Sequence, residues 1–187
     1  MATLARGVDG TPALALAPRG RIRALLAMAS GVLLAAAFPG PDLEPLAWVG
    51  LVPLLLAVRG QRPRPAFVTG WLAGVVFYCG TVYWVAYTIT QYTAVPRVVA
   101  VAILFLMASV LACYHGAFAA GLCWFERRGL PALWLAAPLW VGLEWMRSWF
   151  FIGFPWAALG HSQYRHHDLV QMVEVTGVYG LSALLAE

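Results

Sequence analysis

Long stretches without a charged side chain limit the folds available to this chain more than any other feature. One of them, residues 98–125, lies between Arg97 and Glu126 and is almost wholly apolar. A membrane-spanning helix needs about 20 such residues. Over the 187 residues, 62% are hydrophobic and 11% are charged, whereas soluble domains carry about 25% charged residues. A soluble fold of this size could not bury so much apolar surface, so the sequence predicts an all-α, polytopic transmembrane helical bundle.

The apolar runs divide the chain into five complete helices and the start of a sixth. The predicted helices are 24–38, 46–58, 66–90, 98–125 and about 131–151, with the sixth starting at 169. Residues 1–20 are expected to form a flexible cytoplasmic tail, and residues 21–187 a transmembrane domain that is a fragment of a longer protein. The first apolar run follows three arginines and ends near Ala35-Ala36-Ala37. It therefore also fits a cleaved signal peptide, and both readings stay open.

The arginines predict the orientation of the bundle. The net charge of +4 comes from twelve arginines and no lysine, and they cluster at the ends of apolar segments, which indicates a membrane rather than nucleic acid as the partner. With a cytoplasmic N-terminus, nine arginines fall inside and three outside. The inner set is Arg6, Arg19, Arg21, Arg23, Arg59, Arg62, Arg64, Arg127 and Arg128, and the outer set is Arg97, Arg147 and Arg165. This count places residues 152–168 on the outer side of the membrane.

The stretch 144–163 combines charge, aromatic side chains and helix-breaking residues. Glu144 and Arg147 are three apart, so on a helix they share a face and can pair. Gly153 and Pro155 oppose a continuing helix, because glycine costs backbone entropy and proline lacks a donor. We expect the fifth helix to end here, at the membrane surface, with Trp156 at headgroup level.

Three other features leave two interpretations each. Tyr83 and Trp84 fit either the wall of a lipid- or acyl-binding crevice or an interfacial aromatic belt. His115 is either functional or a neutral histidine hydrogen-bonded to a neighbouring helix. The sequence His166-His167-Asp168 suggests a solvated polar loop rather than a metal site.

An ordered set of motifs resembles apolipoprotein N-acyltransferases, the bacterial enzymes that add the third acyl chain to lipoproteins. The resemblance covers roughly residues 22–187 and implies a bacterial inner membrane, with residues 152–168 in the periplasm. The matching positions are Gly70, Gly74, Tyr83-Trp84-Val85, Glu144, Arg147, Gly153-Phe154-Pro155-Trp156, Gly160, Ser162-Gln163 and Gly177-Val178-Tyr179-Gly180.

The resemblance implies that acyl transfer depends on a nitrilase-like domain with a Glu-Lys-Cys triad. Because this chain has no lysine, it cannot hold that triad, so we assign no catalytic residue, no metal and no cofactor. The implied partners are a phospholipid acyl donor, a diacylglyceryl lipoprotein and membrane lipids, with no nucleic acid. The candidate lipid- or substrate-binding residues are Tyr83, Trp84, Glu144, Arg147, Phe154, Pro155 and Trp156.

Two questions stay open at the level of sequence. Arg147 can attract a lipid phosphate through its planar guanidinium, or it can only neutralise Glu144. The chain as a whole can also be a membrane scaffold or transporter-like module without catalysis, or a membrane domain fused to a different catalytic domain.

Overall fold

Helices make up all the regular structure of the described residues, 20–150 and 153–187, in a computed structural model. This confirms the all-α prediction. The predicted tail 1–20 lies outside the described residues, apart from Gly20. The helices are α1 Gly20–Ala36, α2 Val52–Val58, α3 Pro63–Thr81, α4 Trp84–Tyr92, α5 Arg97–Arg127, α6 Ala136–Trp149, α7 His167–Val170 and α8 Val173–Ala186. Two 3-10 turns, Glu44–Trp48 and Leu159–Gln163, connect them.

The centre of the molecule is the packing of α3 against α5. Gly70 and Gly74 lie on the contact face of α3, as their four-residue spacing predicts. A Cβ atom added at Gly74 would lie 2.9 Å from the Cα atom of Ala112. The two backbones therefore approach at a distance that only the absence of a side chain permits.

A break after Thr81 divides the helix predicted for residues 66–90. The axes of α3 and α4 differ by 48°, so the prediction of one continuous helix is wrong. The Thr81 hydroxyl donates a hydrogen bond of 3.0 Å to the Phe77 carbonyl oxygen, and such bonds to the preceding turn bend helices. Gly80, next to Thr81, adds backbone freedom at the same place.

Other predicted helix bounds also change. The segment predicted as 46–58 is the first 3-10 turn followed by the seven-residue α2, because Pro53 fits only the first turn of a helix. The helix predicted from 131 starts at Ala136 and ends at Trp149. In the last segment, Gly177 has a φ of 66° and interrupts α8, as expected for a glycine-containing segment.

Length and hydropathy identify α5 as the one described helix that can cross a membrane by itself. The bent pair α3 and α4 meets the same criterion when it is taken as a single span. Five complete spans therefore stay a prediction.

The connecting segments meet at two opposite ends of the bundle. At one end, the backbone amide of Gly60 donates to Glu126 at 3.4 Å, which joins the loop after α2 to the end of α5. At the other end, Tyr164 donates to Asp42 at 2.7 Å, which joins the segment after α6 to the turn after α1. The candidate site lies at this second end.

Candidate functional site

Residues 153–163, the returning segment, fold back on α6 instead of continuing the helix. Phe150 is extended, and Gly153 has a left-handed φ of 57°. The predicted helix end before Gly153 is therefore confirmed, although the helix stops at Trp149, two residues before the predicted bound at 151. Ala157 has a φ of 58°, a conformation that is unfavourable for a residue with a Cβ atom.

Glu144 is buried in the last turns of α6 and binds the returning segment. Its Oε1 atom accepts a hydrogen bond of 2.7 Å from the Leu159 backbone amide and one of 2.9 Å from Trp140 Nε1. The residue is only 6% exposed. A carboxylate in this position joins the body of α6 to the second 3-10 turn.

Arg147 lies one turn later and binds the same segment at a different point. Its guanidinium donates to the Trp156 carbonyl oxygen at 2.9 Å and to the Tyr78 hydroxyl on α3 at 2.7 Å. Only 2% of the residue is exposed. Its contacts are therefore internal rather than at the lipid surface.

The expected pairing of Glu144 with Arg147 does not form as a direct contact. The ion pairs within 4 Å in the described part of the chain join Arg165 to Asp42 and to Glu44. Glu144 and Arg147 are three residues apart and therefore lie on one side of α6. Each side chain nevertheless contacts a different backbone atom of the returning segment. These backbone partners take the place of the direct pair.

Two further contacts fix the second 3-10 turn. The Gly160 amide donates to Ser182 on α8 at 2.9 Å, and Gln163 donates to the Glu44 carbonyl oxygen at 3.0 Å. Ser162 and Gln163 are both fully buried. The turn is thus held by α6, α8 and the first 3-10 turn together.

The rim of the site is a small cluster of opposite charges. Arg165 lies 3.2 Å from Asp42 and 3.5 Å from Glu44, and His166 lies 3.2 Å from Glu44. Sequence reasoning missed this cluster. The sequence does contain a signal for the cluster, because the turn 42–44 is acidic and Arg165 carries the opposite charge. The predicted orientation places both segments on the same side of the membrane.

His161 points its ring back at its own turn. Its Nδ1 atom accepts a hydrogen bond of 3.2 Å from the Ala158 amide. Partial burial, with the nearby Arg147 guanidinium, lowers the pKa of His161 below 6.5. The neutral ring is the form that can accept this bond.

An apolar crevice opens beside this segment, at the break between α3 and α4. It has a volume of about 600 Å³, within the range of roughly 300–1,000 Å³ typical of small-molecule sites. Its walls are formed by residues of α3, α4, α8, the turn after α1 and the returning segment. They include Phe38, Val82, Tyr83, Trp84, Trp156, Ala157, Gly160, His161, Val173 and Leu181.

The structure brings three of the predicted site residues together at the crevice. Tyr83, Trp84 and Trp156 line it, and they are 55%, 42% and 56% exposed. Phe154 lies behind the wall, with its ring 5.3 Å from that of Trp156. Pro155 is exposed between these two aromatic residues.

His115 lies deeper, away from the crevice. Its ring is surrounded by Phe77, Tyr78 and Trp140, with ring centroids 5.0–5.3 Å away. Its Nε2 atom makes no hydrogen bond to the described residues, so the expected bond from this atom to a neighbouring helix does not form.

A second apolar cavity, of about 530 Å³, lies at the opposite end of the bundle. It is lined by residues of α2, the end of α5 and the following turn, including Arg59, Glu126 and Trp134. It contains none of the predicted site residues.

Comparison with known proteins identifies the family. The family model described as "Apolipoprotein N-acyltransferase N-terminal domain" matches residues 30–186. The chain is 45% identical over 162 residues to the apolipoprotein N-acyltransferase of Geobacter metallireducens. The matched region covers 87% of this chain and 31% of that protein. The corresponding enzyme of Azotobacter vinelandii is 36% identical over 167 residues, or 87% of this chain and 32% of the relative.

A relative from Coxiella burnetii with the same name is 32% identical over 168 residues, covering 88% of this chain and 34% of that protein. The chain thus spans about a third of the length of the relatives it matches. The chain belongs to the apolipoprotein N-acyltransferase family and matches the N-terminal domain of its members.

Proposed function

We propose that this chain is the membrane domain of an apolipoprotein N-acyltransferase and that its crevice holds an acyl chain. The reaction transfers an acyl chain from a phospholipid to the N-terminal amine of a diacylglyceryl-cysteine. The family membership supports the activity of the whole protein. The chain itself contributes substrate binding, and we assign it no catalytic residue.

The observation that carries this proposal is the aromatic crevice. It is open, mainly apolar and lined by Tyr83, Trp84 and Trp156. Aromatic side chains with polar tips are suited to the boundary between headgroups and acyl chains. An acyl chain can lie against these rings while its polar head stays near the charged rim.

The charges at the two ends support the proposed position in the membrane. Arginines gather at the end where the loop after α2 meets the end of α5: Arg59, Arg62, Arg64, Arg127 and Arg128. The crevice lies at the other end, where Arg165 is paired with Asp42. Under the positive-inside rule, the crevice faces the periplasm and several helices cross the inner membrane.

Replacement of Trp156 by alanine in the full-length enzyme tests this proposal. Loss of the ring removes apolar contact with the acyl chain. We therefore expect the KM for the phospholipid donor to rise about tenfold, which corresponds to about 1.4 kcal/mol of binding free energy.

Trp145→Ala is the matched control. Trp145 is similarly exposed, at 54%, but lies on α6 against Trp149 and does not line the crevice. Its KM should stay within twofold of the unsubstituted enzyme. An unchanged KM for Trp156→Ala, with normal protein levels, would contradict acyl-chain binding in the crevice.

A further inference from the structure

We infer that Glu144 and Arg147 are positioning residues, which clamp the backbone around Ala157 so that the Trp156 side chain faces the crevice. The inference concerns the site of the proposed function and rests on it for the role of Trp156. The clamp consists of two hydrogen bonds, from Arg147 to the Trp156 carbonyl oxygen and from the Leu159 amide to Glu144. It can be tested independently of lipid binding.

The backbone at Ala157 needs an external constraint. Its φ of 58° lies in the left-handed region, which is unfavourable for alanine because the Cβ atom approaches the following carbonyl oxygen. Such a conformation persists where the surroundings determine it. The residues on each side of Ala157 therefore have to be held.

The two ionic groups of α6 hold both sides. Arg147 binds the carbonyl oxygen of Trp156, immediately before Ala157, at 2.9 Å. Glu144 binds the amide of Leu159, two residues after Ala157, at 2.7 Å. The guanidinium of Arg147 is charged, and hydrogen bonds from charged groups are stronger than neutral ones. Because both groups project from the same helix, the distance between the two anchor points is fixed.

Each clamp residue is itself oriented by an aromatic partner. Trp140 donates to Glu144 at 2.9 Å, and Tyr78 accepts from Arg147 at 2.7 Å. These partners lie on α6 and α3, so the clamp joins the returning segment to the central helix packing. Both side chains are therefore held in the interior without a direct contact between them.

The clamp determines where the Trp156 ring lies. Its carbonyl oxygen is bound inward by Arg147, and its side chain is 56% exposed at the crevice. Rotation of the 156–157 peptide group would break the bond to Arg147. A freely rotating segment would no longer keep the ring in the wall of the crevice.

Hydrogen exchange of the full-length enzyme, followed by mass spectrometry on peptides covering residues 153–163, tests the clamp. In Glu144→Leu and Arg147→Met we expect this segment to exchange at least about tenfold faster, because its anchored amides open more often. Glu144→Gln keeps an acceptor oxygen at the same place and should stay within about twofold of the unsubstituted enzyme.

Ser30→Ala is the control for general loss of a buried hydrogen bond. Ser30 donates to the Gly50 carbonyl oxygen at 2.6 Å, at the packing of α1 against the start of α2. This variant should leave exchange of residues 153–163 unchanged. Equal acceleration in Ser30→Ala, or none in Glu144→Leu and Arg147→Met, would overturn the inference.

Arg147→Lys is the replacement test variant if Glu144→Leu and Arg147→Met do not fold. Both hydrogen bonds come from the Nη1 atom of Arg147, and the ammonium of lysine lies one bond closer to the backbone, so we expect at least threefold faster exchange of the segment. Exchange equal to that of the unsubstituted enzyme would overturn the clamp.

Acyl-transfer kinetics separate the clamp from the proposed function. Faster exchange together with a raised KM for the phospholipid supports both. Faster exchange with an unchanged KM supports the clamp and contradicts the role of the crevice.

Discussion

Ala157 has a backbone conformation that is unfavourable for a residue with a Cβ atom. Its left-handed φ of 58° suits glycine better than alanine. The chain nevertheless has alanine at this position, and Arg147 and Glu144 bind the backbone on either side of it. A substitution here thus measures how strongly the surrounding contacts impose the conformation.

Ala157→Gly is expected to raise the free energy of unfolding by roughly 0.5 kcal/mol. It removes a left-handed penalty of about 1–2 kcal/mol, partly offset by the greater freedom of glycine in the unfolded chain. Thermal unfolding of the purified protein measures the change. Ala158→Gly is the control. Ala158 has an extended backbone, with φ −68° and ψ 144°, which alanine adopts without a penalty, so this variant should lose stability.

His161 predicts a pH dependence of stability. Its pKa in the folded protein is lowered from 6.5 by partial burial, with a contribution from Arg147. The unfolded chain therefore binds a proton more readily, and the stabilising effect of the neutral ring is present above pH 6.5 and is lost as the pH falls below that value.

Unfolding measured between pH 7.5 and 5 in the unsubstituted protein and in His161→Gln checks this expectation. The variant should lose less stability over this interval. The same pH slope in both proteins would show that His161 is not responsible.

At the scale of helices, the close contact of α3 with α5 positions the crevice, because α3 carries Tyr78 and ends at the break. Gly74→Leu is expected to lower the free energy of unfolding by about 1–3 kcal/mol, since the side chain would overlap Ala112. Gly142→Ala is the control. No atom lies within 4 Å of a Cβ added there, and alanine favours a helix, so stability should rise. Chemical unfolding in detergent measures the free energy of unfolding of both variants.

Local signals in the sequence predicted α5 to within two residues at each end and the end of α6 to within two residues. Gly153 opposes helix continuation by its own backbone preference, without help from the rest of the molecule. The break after Thr81 was not predicted, because a threonine bond to the preceding turn bends some helices and leaves others straight.

The partners of the charged residues could not be predicted from their spacing. Glu144 and Arg147 share one side of α6, as expected, but their partners come from the returning segment and from α3. Such contacts depend on how distant segments fold together. In contrast, both interpretations of Tyr83 and Trp84, a crevice wall or an interfacial belt, place these side chains at the surface of the bundle, where they are exposed.

For the whole molecule, the segregation of arginines predicts orientation. In spheroplasts of a cysteine-free variant, a cysteine at position 167 should react with a membrane-impermeant maleimide. A cysteine at position 62 should react only after the membrane is opened, because the arginine-rich end faces the cytoplasm in the proposed orientation. Labelling of position 62 in intact spheroplasts would reverse the proposed orientation.

In the proposed function, the crevice binds an acyl chain of the phospholipid donor. The most direct measurement is photocrosslinking of full-length enzyme carrying a photoreactive residue at position 156 to a phospholipid with a labelled acyl chain. We expect a crosslink that excess unlabelled donor abolishes, whereas a crosslink from position 145 on the outer side of α6 should not saturate. Equal, unsaturable labelling at both positions would contradict a specific acyl site in the crevice.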